Sequence, residues 1–226
     1  MEKGGKKMVE VSTSILTMEK GKEAETLLAL EKSKTDYFHI DVMDGKFVKN
    51  NTYQKMFENA SYIKRISNLP LDIHLMVENV KDAIDDFSAV EPNIITFHYE
   101  VCKSKEEVYK NIRYIKECNC KVGLAVKPET KIEEIYEFLP YIHMCLVMTV
   151  EPGKGGQTFI EETLEKVAKL KEYVKNNDIE IDIEVDGGIN LATAPKAKEA
   201  GANVLVAGSA ILMAKDYKVI IDELKQ

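Results

Sequence analysis

Tyr37-Phe38-His39-Ile40-Asp41-Val42 sets two ionisable side chains into a short β-rich run. Side chains alternate between the two faces of a strand, so His39, Asp41 and the following Met43 point the same way. Seven further runs of this kind recur along the chain. They are Val9-Glu10-Val11-Ser12, Leu71-Asp72-Ile73-His74-Leu75, Ile94-Ile95-Thr96-Phe97-His98, Val122-Gly123-Leu124-Ala125-Val126, Met144-Cys145-Leu146-Val147-Met148, Ile181-Asp182-Ile183-Glu184-Val185 and Val204-Leu205-Val206-Ala207. Helical patterns lie between them, most clearly over 22–32, 105–118, 132–139, 160–175 and 192–200. Strands that alternate with helices form parallel βαβ units. Eight units point to a closed (β/α)8 TIM barrel. The competing open, doubly wound sheet lacks its main signal, because no GxGxxG opens the first helix.

The 226 residues suit one such barrel near its lower size limit. No linker or composition break divides the chain, so 8–226 reads as one barrel domain. Residues 1–7, polar and Gly-containing, read as a flexible N-terminal extension. A net charge of −7 argues against nucleic acid or an anionic membrane surface as partner. No apolar run is long enough to span a bilayer. Cys102, Cys118, Cys120 and Cys145 have neither zinc-finger nor disulfide-framework spacing, which fits a reduced, cytoplasmic setting.

In a barrel of this kind, chemistry sits at the C-terminal ends of the strands. His39, Asp41 and Met43 share a face of the second strand. His74 and Met76 share one on the third. Met148 ends the sixth strand and Asp186 the seventh. Facing inward, two imidazoles and two carboxylates meet at the barrel mouth, with methionines around them. Ionisable groups inside a strand are costly unless paired or metal-bound. Four convergent groups on three strands favour a divalent metal shell (Zn²⁺, Fe²⁺, Mn²⁺ or Co²⁺) over a hydrogen-bonded core network. His98, at the end of the fourth strand, is left between a supporting and a packing role. His143 reads as structural, and Asp182 and Glu184 as deeper polar residues.

Glycine-rich turns follow the late strands. They are Glu151-Pro152-Gly153-Lys154-Gly155-Gly156-Gln157-Thr158, Gly187-Gly188 and Gly208-Ser209-Ala210. Loops in this part of a barrel often hold phosphate on backbone N–H groups.

Six motifs in order carry a resemblance to the ribulose-phosphate 3-epimerase family, from about residue 11 to 212. They are Ser14-Ile15-Leu16, His39-Ile40-Asp41-Val42-Met43-Asp44-Gly45-Lys46-Phe47-Val48, Asp72-Ile73-His74-Leu75-Met76, Pro152-Gly153-Lys154-Gly155-Gly156-Gln157, Glu184-Val185-Asp186-Gly187-Gly188-Ile189 and Ala207-Gly208-Ser209-Ala210. The resemblance implies His39, Asp41, His74 and Asp186 as metal ligands, with Asp41 and Asp186 as the acid–base pair. It places substrate contacts at Ser14, His74, Gly153, Lys154, Gly155, Gly156, Gly187, Gly188, Gly208 and Ser209. It puts Met43, Met76 and Met148 around the reacting carbon, and it suggests a homo-oligomer. The sequence departs from the usual family wording at Thr13, Lys49, Lys127, Glu151 and Lys154, none of them an implied metal ligand or catalyst.

The expected reaction is epimerisation at C3 of a phosphorylated ketose, ribulose 5-phosphate first and allulose 6-phosphate as the alternative. Inverting a carbon beside a carbonyl needs a proton removed from one face and delivered to the other, which two flanking carboxyls can do. A related lyase or decarboxylase would need Asp-x-Lys-x-x-Asp, and Asp44-Gly45-Lys46 is followed by Lys49 where the second aspartate would stand. A non-catalytic phosphosugar-binding barrel is the reading from another class.

Overall fold

Each of the eight β-rich runs forms a strand in the computed structural model, which describes residues 8–226. The strands are β1 (Glu10–Ser14), β2 (Tyr37–Met43), β3 (Leu71–Met76), β4 (Ile94–His98), β5 (Lys121–Val126), β6 (Met144–Met148), β7 (Asp182–Asp186) and β8 (Val204–Ala207). Each pairs in parallel with the next, and β8 returns to β1 with Leu205 opposite Val11, closing the barrel. The extension read over 1–7 lies outside the described residues.

Several strands run past the apolar stretch that marks them in the sequence. β1 continues to Ser14, β2 to Met43, β3 to Met76 and β7 to Asp186. Their polar or thioether ends stay in register: Ser14 lies opposite His39, Met43 opposite Met76, and Met148 opposite Asp186. Ladder pairing with neighbours holds these ends extended and delivers them to the barrel mouth.

The helices are α1 (Glu23–Lys32), α2 (Tyr53–Ile66), α3 (Val80–Ser88), α4 (Lys105–Glu117), α5 (Thr163–Asn176), α6 (Ala194–Ala200), α7 (Ser209–Leu212) and α8 (Tyr217–Lys225). The helix expected over 132–139 is instead a 3₁₀ segment, Ile132–Tyr141, with Pro140 inside it. Proline lacks the N–H that an α-helical turn needs there. α5 begins three residues later than expected, and α6 begins beside Pro195. α3 is short, but it buries Val80, Ala83, Ile84 and Phe87 at helical spacing, and the Asn79 side chain caps it at Asp82 N–H.

The main core lies between the barrel and its helices. Phe38, Phe87, Phe97 and Phe138 are fully buried there, each worth roughly 1.5–3 kcal/mol in apolar burial. Inside the barrel, Ile94, Met144 and Val204 pack at the N-terminal end. The interior above them is tight: a Cβ on Gly123 would stand 2.0 Å from Thr96 Oγ1. Among the described residues, no helix is long and apolar enough to cross a membrane. All four cysteines are free thiols.

Candidate active site

The C-terminal ends of β2, β3 and β7 bring His39, Asp41, His74 and Asp186 together. One ligand atom from each lies within 4.8 Å of the others. His39 Nε2 stands 3.4 Å from Asp41 Oδ1 and 3.8 Å from Asp186 Oδ2. His74 Nδ1 stands 3.5 Å and 3.6 Å from the same two oxygens. These gaps are long for hydrogen bonds. Both ring nitrogens are buried, and neither has a hydrogen-bond partner among the described residues. Buried polar atoms are nearly always satisfied, so two orphans facing one small space mark a place for a cation. Ligand atoms held about 2.1 Å from one tetrahedral ion would stand roughly 3.4 Å apart, which matches these separations. Mixed imidazole and carboxylate donors suit a divalent transition metal.

Other buried groups set the orientation of these four. Asp72 Oδ2 lies 2.6 Å from His39 Nδ1 and accepts a hydrogen bond from Ser12 Oγ at 2.8 Å. Ser14 Oγ donates to Asp41 Oδ2 at 2.7 Å. Thr52 Oγ1 donates to the Asp41 carbonyl, anchoring the loop after β2 to the strand end. His74 Nε2 lies 2.9 Å from His98 Nε2.

Burial alone would neutralise these groups, but their opposite charges oppose it. The Asp72 and Asp41 carboxylates outweigh burial at His39 and hold the imidazole well above its ordinary value. Burial likewise works against ionised Asp41, yet His39 and then His74 keep its carboxyl far below the usual range. Glu184 shows the converse. Burial, followed by the Asp72 charge beside it, pushes its carboxyl well up.

A cleft of about 780 Å³ opens over this cluster. Asp41 and Asp186 reach it, as do Ser14, Met43, Met76 and Met148. Its other side is built from the glycine turns, including Gly153, Lys154, Gly155, Gly156, Gly187, Gly188, Gly208 and Ser209. The ring of His74 is fully buried behind the acid pair instead of lining the cleft. Gly188 has φ +68, and a Cβ there would meet Phe159 N at 2.7 Å. Only glycine takes both that backbone and that approach without strain.

Residues 10–212 match the model of the ribulose-phosphate 3-epimerase family. The chain belongs to that family. It is 39% identical over 219 residues to the ribulose-phosphate 3-epimerase of Methanocaldococcus jannaschii, covering 97% of this chain and 91% of that one. It is 37% identical to the Bacillus subtilis enzyme of the same name, over 96% of this chain and 99% of that one. The epimerase fold is shared more widely. A crystal structure of 3-hexulose-6-phosphate synthase superposes with a TM-score of 0.67 at 17% identity, covering 96% and 98% of the two chains. Membership makes this chain an epimerase acting on ketose phosphates.

Two groups behind the epimerase cluster, Asp72 and Glu100, had no role assigned from the sequence. Asp72 shares a strand face with His74, two residues on, and that parity is the signal that could have marked it. Glu100, just past the end of β4, has no such signal. It meets His98, Thr130 and Lys127 only through loop folding.

Proposed function

We propose that the chain interconverts D-ribulose 5-phosphate and D-xylulose 5-phosphate by metal-dependent epimerisation at C3. The observation that carries this reading is the pair of buried, partnerless imidazole nitrogens that face two carboxylates lining a phosphosugar-sized cleft. His39, Asp41, His74 and Asp186 would hold one divalent ion. When bound, that ion supplies Lewis-acid stabilisation of the negative charge on the ene-diolate oxygens.

Asp41 and Asp186 come from β2 and β7, well apart around the barrel, and both face the cleft. One carboxylate removes the C3 proton, and the other, protonated, delivers a proton to the opposite face. The reverse reaction exchanges their roles. Ser14 holds Asp41 in place through its hydroxyl. Met43, Met76 and Met148 cover the reacting carbon with side chains that carry no exchangeable proton and exclude water. The backbone of Gly188, Gly208 and Ser209 receives the phosphate, and the loop carrying Gly153–Gly156 closes the far side, which fixes the sugar for proton transfer. Lys154 gives that loop a positive charge near the phosphate. The cytoplasmic setting and a homo-oligomeric assembly belong to the same reading, supported by the free thiols and the family resemblance.

The deciding experiment measures turnover of D-ribulose 5-phosphate and D-allulose 6-phosphate side by side, before and after chelation. Faster turnover of the pentulose phosphate, lost on chelation and restored by added metal, is the expected result. Preference for the hexulose phosphate reassigns the substrate. Unchanged activity in the chelated chain removes the metal from the mechanism.

A further inference from the structure

His98, at the end of β4, is fully buried and bridges two polar groups. Its Nε2 lies 2.9 Å from His74 Nε2, and its Nδ1 lies 3.2 Å from Glu100 Oε2. Its ring is held between the ring of His74, at a centroid separation of 5.1 Å, and that of Phe47, at 4.9 Å. Two ring nitrogens at hydrogen-bond distance need one hydrogen between them, so one donates and the other accepts.

Glu100 settles the direction. Its Oε1 accepts the Lys127 N–H at 2.7 Å and the Thr130 hydroxyl. Both contacts require an acceptor, and so does the contact with His98 if that ring carries its hydrogen on Nδ1. Reversing the chain would set a bare His98 Nδ1 against a bare carboxylate oxygen. With His98 donating to Glu100, its Nε2 is bare and must accept the hydrogen on His74 Nε2. That leaves His74 Nδ1 unprotonated and facing Asp41 and Asp186, where it has no partner.

We propose that Glu100, acting through His98, is a positioning residue that fixes His74 in the tautomer protonated at Nε2 and so presents Nδ1 to the cation. The inference rests on the metal reading above. A carboxylate behind a ligating histidine fixes its tautomer and raises its basicity. Here the carboxylate, just past the end of β4, acts through a second imidazole.

The test is Mn²⁺ binding to the full chain, stripped by chelation and titrated against a competing chelator. Glu100→Gln keeps the shape. Its amide must either donate to His98 Nδ1, reversing the chain, or oppose the Lys127 N–H. His98→Phe removes the bridge altogether. Both variants are expected to bind Mn²⁺ about 10- to 100-fold more weakly than the unsubstituted chain. A residue with only a structural role would lower the melting temperature of the metal-free chain and leave that affinity unchanged. If the unsubstituted chain binds Mn²⁺ and Glu100→Gln binds it equally well, the relay is overturned while the metal site stands. If the unsubstituted chain binds no Mn²⁺, the metal reading fails and the relay fails with it. Should His98→Phe not fold, ¹⁵N spectra of the Zn²⁺-loaded unsubstituted chain decide beside Glu100→Gln: a His74 proton on Nε2 supports the relay, and one on Nδ1 overturns it.

Discussion

His39 Nδ1 stands 2.6 Å from Asp72 Oδ2, and both side chains are closed off from solvent. The two residues are register partners on β2 and β3, so strand pairing itself sets the contact. A carboxylate at Nδ1 leaves Nε2 as the atom turned toward Asp41 and Asp186. Asp72→Asn keeps the shape and removes the charge. It is expected to weaken Mn²⁺ binding about 10- to 100-fold while the far-ultraviolet circular dichroism stays the same. Unchanged affinity in a chelator-competition titration would reject this role for Asp72.

Asp41→Asn and Asp186→Asn should each lower turnover of ribulose 5-phosphate by at least about 10²–10⁴-fold, the range expected for loss of a positioned acid or base. The barrel should remain folded, because neither carboxylate packs the core between strands and helices. Solvent deuterium incorporation at C3 provides the sharper measurement. A variant that still exchanges that proton at the wild-type rate is incompatible with its aspartate acting on C3.

Gly188→Ala places a methyl group against Phe159 N at a backbone angle that disfavours any side chain. The expected cost is about 1–3 kcal/mol in urea unfolding, with a raised KM because the turn lines the cleft. An alanine variant as stable as the parent would show that the turn can relax without loss.

Lys154 is exposed on the loop after β6 and lines the cleft. An exposed charge contact is worth roughly 0–1 kcal/mol. Lys154→Ala should therefore raise KM a few-fold, leave kcat near its starting value, and make KM less sensitive to salt. An unchanged KM at low ionic strength would remove the lysine from phosphate binding.

Burial, reinforced by the neighbouring His74, carries His98 down to about 4 against an opposing pull from Glu100. The folded chain therefore holds this imidazole neutral where the unfolded chain, near 6.5, takes up a proton. The unfolded state binds more protons between these values, so stability from this site is complete above pH 6.5 and is lost as pH falls through about 4. The loss amounts to about 3 kcal/mol by linkage. In the metal-free chain, the difference in urea stability between the parent and His98→Gln should shrink from pH 7 to pH 4. A difference that stays constant would show that His98 titrates normally in the fold.

Strand periodicity alone made the barrel legible. Runs such as residues 94–98 and 144–148 need only local apolar and β-branched content to be recognised, and they recur with helices between them. The parity of His39, Asp41 and Met43 is likewise local, since a two-residue repeat decides which side chains share a face. By itself, then, the sequence determined the parallel α/β architecture, the strand-end positions and shared faces of two histidines and two aspartates, and the glycine turns at one end. What it could not carry is contact across the barrel. Whether His39 meets Asp72, whether His74 turns Nδ1 or Nε2 inward, and whether Glu100 lies behind His98 depend on register, closure and loop path. These are relations between residues 24 to 33 positions apart, or between a strand end and a loop. Tertiary structure decided them, because the partners come from different strands and loops and meet only once the barrel closes, where low dielectric makes each unpaired polar group costly.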